Sequence, residues 1–233
     1  MSNQRSAWTL RLTELSFDAW LDHAFSHGVR FQRNTWFFDP DHDWWDPQPV
    51  VAVAYLTRLF KEAEQSVYWF SDEQIAQGLT YLLNTSASGD NGWYSSTTPP
   101  IEDRVRGVGA VADLFSQLFA PRCKAQLAHL KDSESAPLNI VCYMWWDEFP
   151  CIALPDDPNR ALLWETALRT MARILSLPSV ACQESALHGL GHWQRTNKVE
   201  VARIIDGFLD ANRERLDSRM VDYAKAARSG CVQ

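Results

Sequence analysis

"ILSLPSVACQESALHGLGHW" occupies 174–193. Pro178 and Ser179 mark a turn, and the apolar residues after them recur at helical spacing. At about 100° per residue, Cys182, Ala186, Gly189, Leu190 and Trp193 gather within about 100° of arc. Glu184, His188 and His192 fall opposite them as a polar stripe. This predicts a helix over 179–194 whose histidines face solvent, a groove or a partner. Gly189 lies on the packed face and Gly191 at its border. A helical glycine costs about 1 kcal/mol against alanine, so close approach of a neighbouring element explains keeping them.

The same periodicity extends outward in both directions. Upstream, the patterns predict helices over 157–177, 137–149, 121–130 and 101–119. Earlier ones fall at 71–84, with Ser71 and Gln74 as a capping box, at 49–64, entered through Pro49, and at 16–28, capped by Ser16. Downstream, helices are expected over 197–216 and 217–230, the last closed by Gly230. "TSASGDNGWYSSTTPP" at 85–100 is polar, rich in Gly and Ser, and reads as a long loop. The aromatic, β-branched run "PLNIVCYMWWDEF" (137–149) is assigned to helix because no partner strand is visible elsewhere. The expected fold is all-α: one domain over 1–233, built from about nine helices.

The C-terminal third also resembles a HEAT-type repeat. Pro178 stands at the short turn, and Ala186, Leu187, Leu190 and Gly191 match the Ala-Leu-x-x-Leu-Gly core of its second helix. The Asp and Arg usual in such repeats are missing, and no clear period continues upstream. The resemblance, over about residues 157–230, implies stacked helical hairpins, an α-solenoid-like shape generally used to bind other proteins.

Composition narrows the partners. The 233 residues carry a formal charge of −7, with 46% hydrophobic and 22% charged residues. An acidic surface repels phosphates, and no basic patch overrides it, so nucleic acid is not an expected partner. No apolar run suits a signal peptide or a membrane span. Cysteines at 123, 142, 151, 182 and 231 form no CxxC pair, which fits reduced thiols in a cytoplasm. There is no GxSxG, P-loop, HExxH or strand-borne GxGxxG motif.

Eleven tryptophans are present, and several stand beside acids. In "FFDPDHDWWDP" (37–47), Asp39, Asp41, Asp43 and Asp46 surround His42, Trp44 and Trp45. A calcium loop is excluded, because the required Gly and Glu positions hold Trp44 and Val50. Acids beside aromatics suit a basic protein or, alternatively, a sugar. "YMWWDEFP" (143–150) repeats the pattern, but Asp147 and Glu148 are adjacent and point apart on a helix. Burial of Trp145 and Trp146 explains that string better than catalysis.

The leading expectation is therefore a non-enzymatic protein-binding module without a cofactor, in its sharpest form a bacterial immunity or antitoxin protein covering a basic partner. Its binding residues are Asp39, Asp41, His42, Asp43, Trp44, Trp45, Asp46, Glu184, His188 and His192. The first alternative is a metal-dependent hydrolase. His188 and His192, four residues apart, form a helix-borne metal-binding pair, and His23 and His27 repeat the spacing. Glu184 and His192 are about 12 Å apart along a helix and cannot share one ion, so further ligands must come from another segment. The second alternative is carbohydrate binding through the Trp-Asp clusters.

Overall fold

A computed structural model describes residues 15–29, 36–38, 45–84, 86–130, 136–149 and 156–232. The regular elements among them are all helical, and no strand occurs among the described residues. None of the described helices is long and apolar enough to cross a membrane. We number the α-helices α1 (Phe17–Phe25), α2 (Pro49–Lys61), α3 (Ala63–Ser66), α4 (Asp72–Leu83), α5 (Ile101–Leu114) and α6 (Ala120–Arg122). There follow α7 (Pro137–Tyr143), α8 (Trp145–Glu148), α9 (Arg160–Leu175), α10 (Val180–Trp193), α11 (Lys198–Ala211) and α12 (Ser218–Ser229).

The helix ends are set by local chemistry. Ser16 accepts from the Ala19 amide at 3.2 Å, and Ser71 and Gln74 form the reciprocal capping box at 3.3 and 3.1 Å. Gly230, at φ +75°, closes α12 in the left-handed conformation that glycine adopts without a Cβ clash. The expected helix over 121–130 is corrected. Pro121 ends a helix instead of starting one, since α5 runs through a wide turn (Phe115–Phe119) in which Ala120 N–H reaches the Phe115 carbonyl, and on into α6. Cys123 is extended, and Ala128–Leu130 is a single 3-10 turn.

Packing arranges the helices in two rows. In the first, α2 lies against α5, α5 against α9, and α9 against α11. In the second, α1 lies against α4, α4 against α7, α7 and α8 against α10, and α10 against α12. The chain alternates between the rows, and a cluster of buried apolar side chains between them runs from Phe17 to Ala227. One charged pair lies inside it. Arg104 on α5 donates to Asp157 at 2.5 Å and to the Tyr94 carbonyl at 3.0 Å, with both charged side chains shut off from solvent. Burial pushes the Asp157 carboxyl up, but the Arg104 hydrogen bond, the Asn159 amide and the Arg104 charge hold it below its ordinary value.

Candidate metal centre

The stretch over 179–194 forms α10, and its placement in the second row changes the meaning of its polar stripe. With α7 and α8 on one flank, α12 on another and α9 from the opposite row, α10 is enclosed nearly all round. Glu184 and His188 are buried, so the reading of them as partner-facing is corrected; His192 alone remains exposed, at 43% of its side chain. A helical wheel separates two faces, but a helix enclosed on several sides buries both. Gly189 fulfils the close-approach expectation: a Cβ there would stand 2.5 Å from Trp146 Cγ.

The buried Glu184 and His188 both have hydrogen-bond partners. The Glu184 carboxylate accepts from the backbone amides of Ala128 and His129 at 2.8 and 3.1 Å and meets His129 Nδ1 at 2.5 Å. It thereby fastens the 128–130 turn against α10. The His129 ring stacks on Tyr223 of α12, with centroids 4.2 Å apart. Tyr223 Oη lies 2.8 Å from His188 Nδ1 and donates to Tyr143 Oη at 3.3 Å.

On its other side, His188 meets a carboxylate. Its Nε2 is 3.0 Å from Asp147 Oδ2, His192 Nε2 is 2.7 Å from Asp147 Oδ1, and the two Nε2 atoms are 3.0 Å apart. Three atoms of metal-ligand type thus converge from α8 and from successive turns of α10. The two histidines meet different oxygens of Asp147. A tetrahedral ion with bonds of about 2.0–2.1 Å needs donors about 3.3 Å apart. It would therefore take one of those oxygens and spread the two Nε2 atoms, 3.0 Å apart, by a few tenths of an ångström. The shifts of Asp147 and His192 run in the direction that metal binding favours. Burial raises Asp147, but its bond to His188 and the charges of His188 and His192 outweigh it and hold the carboxyl below its ordinary range. Burial, then the neighbouring His188, pulls His192 down against the opposing pull of Asp147. Carboxylate and neutral imidazole are the forms that bind metal.

The other expected site residues fall elsewhere. His23 Nε2 lies 3.2 Å from Tyr81 Oη, while His27 Nε2 bonds the His23 carbonyl at 2.8 Å and its ring stacks on Trp36 at 3.6 Å. That pair is thus engaged near α1 and α4, and the α10 histidines gain Asp147 instead. Trp45, expected at a binding surface, is buried against Trp20 and Tyr55, because stacking on Tyr55 anchors it in the core; Asp46 beside it is exposed. Asp39, Asp41, His42, Asp43 and Trp44 lie outside the described residues. Trp145 and Trp146 are buried as expected.

Sequence reasoning set Asp147 aside as a poor partner for Glu148 and passed over Tyr143, Tyr223 and His129. Asp147 and Tyr223 stand 41 and 35 positions from His188, and no local spacing signals such contacts. Compared with protein-family models, with curated proteins and with solved structures, the chain matches none.

Proposed function

We propose that the chain is a metal-dependent hydrolase whose centre is Asp147, His188 and His192. The observation that carries this reading is the convergence of one carboxylate oxygen and two imidazole Nε2 atoms within 4.8 Å of one another, at an edge where His192 is open to solvent. Two histidines and one carboxylate suit zinc or iron(II) and leave coordination positions for water and substrate. A metal there would supply Lewis acidity and a water that ionises near neutral pH. The protein supplies orientation. If His188 Nε2 held the ion, its Nδ1–H would donate to Tyr223 Oη, 2.8 Å away, fixing tautomer and ring plane. The alternation of hairpins between two rows supports a HEAT-like scaffold for this centre. The free thiols of Cys123, Cys142, Cys182 and Cys231 support a reducing, cytoplasmic setting.

Elemental analysis of the purified protein, followed by cobalt(II) titration monitored by visible absorption, tests the reading. Near-stoichiometric metal and a tetrahedral cobalt spectrum are expected in the wild type. Both should be lost in Asp147→Asn and His192→Ala, the two less buried ligands. Chelator-sensitive hydrolysis of nitrophenyl esters or phosphates, restored by zinc, is the expected activity. A folded wild-type protein with no metal and no cobalt spectrum would overturn the proposal.

A further inference from the structure

Away from the centre, one stretch breaks the rules for its own local structure. Helix α3 ends at Ser66, and "VYWF" (67–70) makes a tight turn closed by a bond from Phe70 N–H to the Val67 carbonyl at 3.1 Å. Turn tips are ordinarily Gly, Asn, Asp or Pro, residues that adopt the geometry easily and like water. Here Tyr68 and Trp69 occupy the tip, 67% and 86% exposed, with their rings edge to face at 4.9 Å. The other described tryptophans are all buried or half-buried.

The turn is held firmly from below. Val67 is buried, Phe70 packs on Phe25 with ring centroids 5.5 Å apart, Arg122 donates to the Phe70 carbonyl at 3.4 Å, and Ser71 begins the capped helix α4. Fold stability therefore accounts for Val67 and Phe70 and leaves Tyr68 and Trp69 unexplained. A rigidly presented aromatic pair is the usual anchor of a protein interface.

Charge selects the occupant. From Glu62 to Glu73 the chain carries Glu62, Glu64, Asp72 and Glu73 and no Lys or Arg. Arg58 pairs with Glu62 and Arg122 with Asp72, whereas Glu64 and Glu73 enter no ion pair among the described residues. Lys61, just outside this stretch, leaves the local charge negative, and the whole chain, these acids included, carries −7. Such a field repels anionic lipid and attracts cations, and the faces of Trp and Tyr bind guanidinium or ammonium groups.

We propose that the Tyr68–Trp69 turn is a docking surface for a basic, arginine-bearing segment of a partner protein. An arginine side chain would lie against Trp69, with Glu64 and Glu73 supplying the local charge. This surface is independent of the metal centre, so it is tested with chelator present.

The Trp69 indole N–H resonance, assigned through Trp69→Phe, reports binding. Titration with a short synthetic Arg-Gly repeat peptide should shift that resonance saturably, and the affinity should fall as salt rises. Trp69→Ala should weaken binding about tenfold or more. The double variant Glu64→Gln, Glu73→Gln should weaken it and flatten its salt dependence. A Glu-Gly repeat of equal length should not bind. Equal affinity in Trp69→Ala, or no shift with the arginine peptide, would overturn the proposal. A Trp69 shift on phosphatidylcholine vesicles, without one on the peptide, would also overturn it, since the tip would then be a membrane contact.

Discussion

Tyr223 holds His188 by a single hydrogen bond, and its ring is itself held by the stacked His129. Tyr223→Phe keeps that packing and removes the acceptor for Nδ1–H together with the hydrogen bond to Tyr143. Metal affinity, measured by competition with a chromogenic chelator, should fall about 10- to 100-fold. Melting temperature of the metal-free protein should fall by only a few degrees, because leaving the buried His188 Nδ1 unpaired costs about 1–3 kcal/mol. Asp90 offers a separate test by pH. Burial pushes its carboxyl up to about 8, the Trp20 indole opposes the rise, and the nearby Asp46 adds to it. The folded state thus holds this proton more tightly than the unfolded chain does. Its contribution is full below the ordinary carboxyl value of 3.8 and is lost as pH rises through about 8. Thermal melts from pH 5 to 9 should show the wild type losing stability with rising pH, and Asp90→Asn should lessen that loss.

Among the elements, legibility followed the range of the interactions that decide each one. The caps at Ser16 and Ser71, the Pro49 entry and the Gly230 stop act within a turn of chain, and all could be read directly. The segment over 121–130 could not, since the Ala128 and His129 amides bind Glu184, more than fifty positions away. The same limit hid the centre: the histidine pair is a local pattern, but Asp147 joins it only through the packing of α8 on α10. Gly189 was legible as a packing residue, and the structure names what it packs against. Gly189→Ala should gain about 1 kcal/mol of helix propensity yet lose about 1–3 kcal/mol by forcing its Cβ against Trp146. Denaturant melts should therefore show net destabilisation, and Gly189→Ala should cost less in a Trp146→Ala background, which lacks the Cγ and Cδ1 atoms it strikes.

At the scale of the molecule, the rows depend on a few long-range ties. Arg104 and Asp157 join α5, the loop at Tyr94 and the start of α9 across the buried interior. Removing one partner leaves the other charged and dry. Arg104→Met alone should cost about 3–5 kcal/mol in denaturant unfolding, and adding Asp157→Leu should recover much of it. Another tie is the last helix of the second row, which brings Tyr223 to His188. That row is built like a bookshelf whose final volume also serves as the bookend. A protease that clips the chain ahead of Ser218 strips the centre of the phenol orienting His188 while leaving Asp147, His188 and His192 in the remaining polypeptide. On the proposed reading, metal content would then read out chain integrity: a shortened molecule would keep Asp147, His188 and His192 and would grip an ion less tightly.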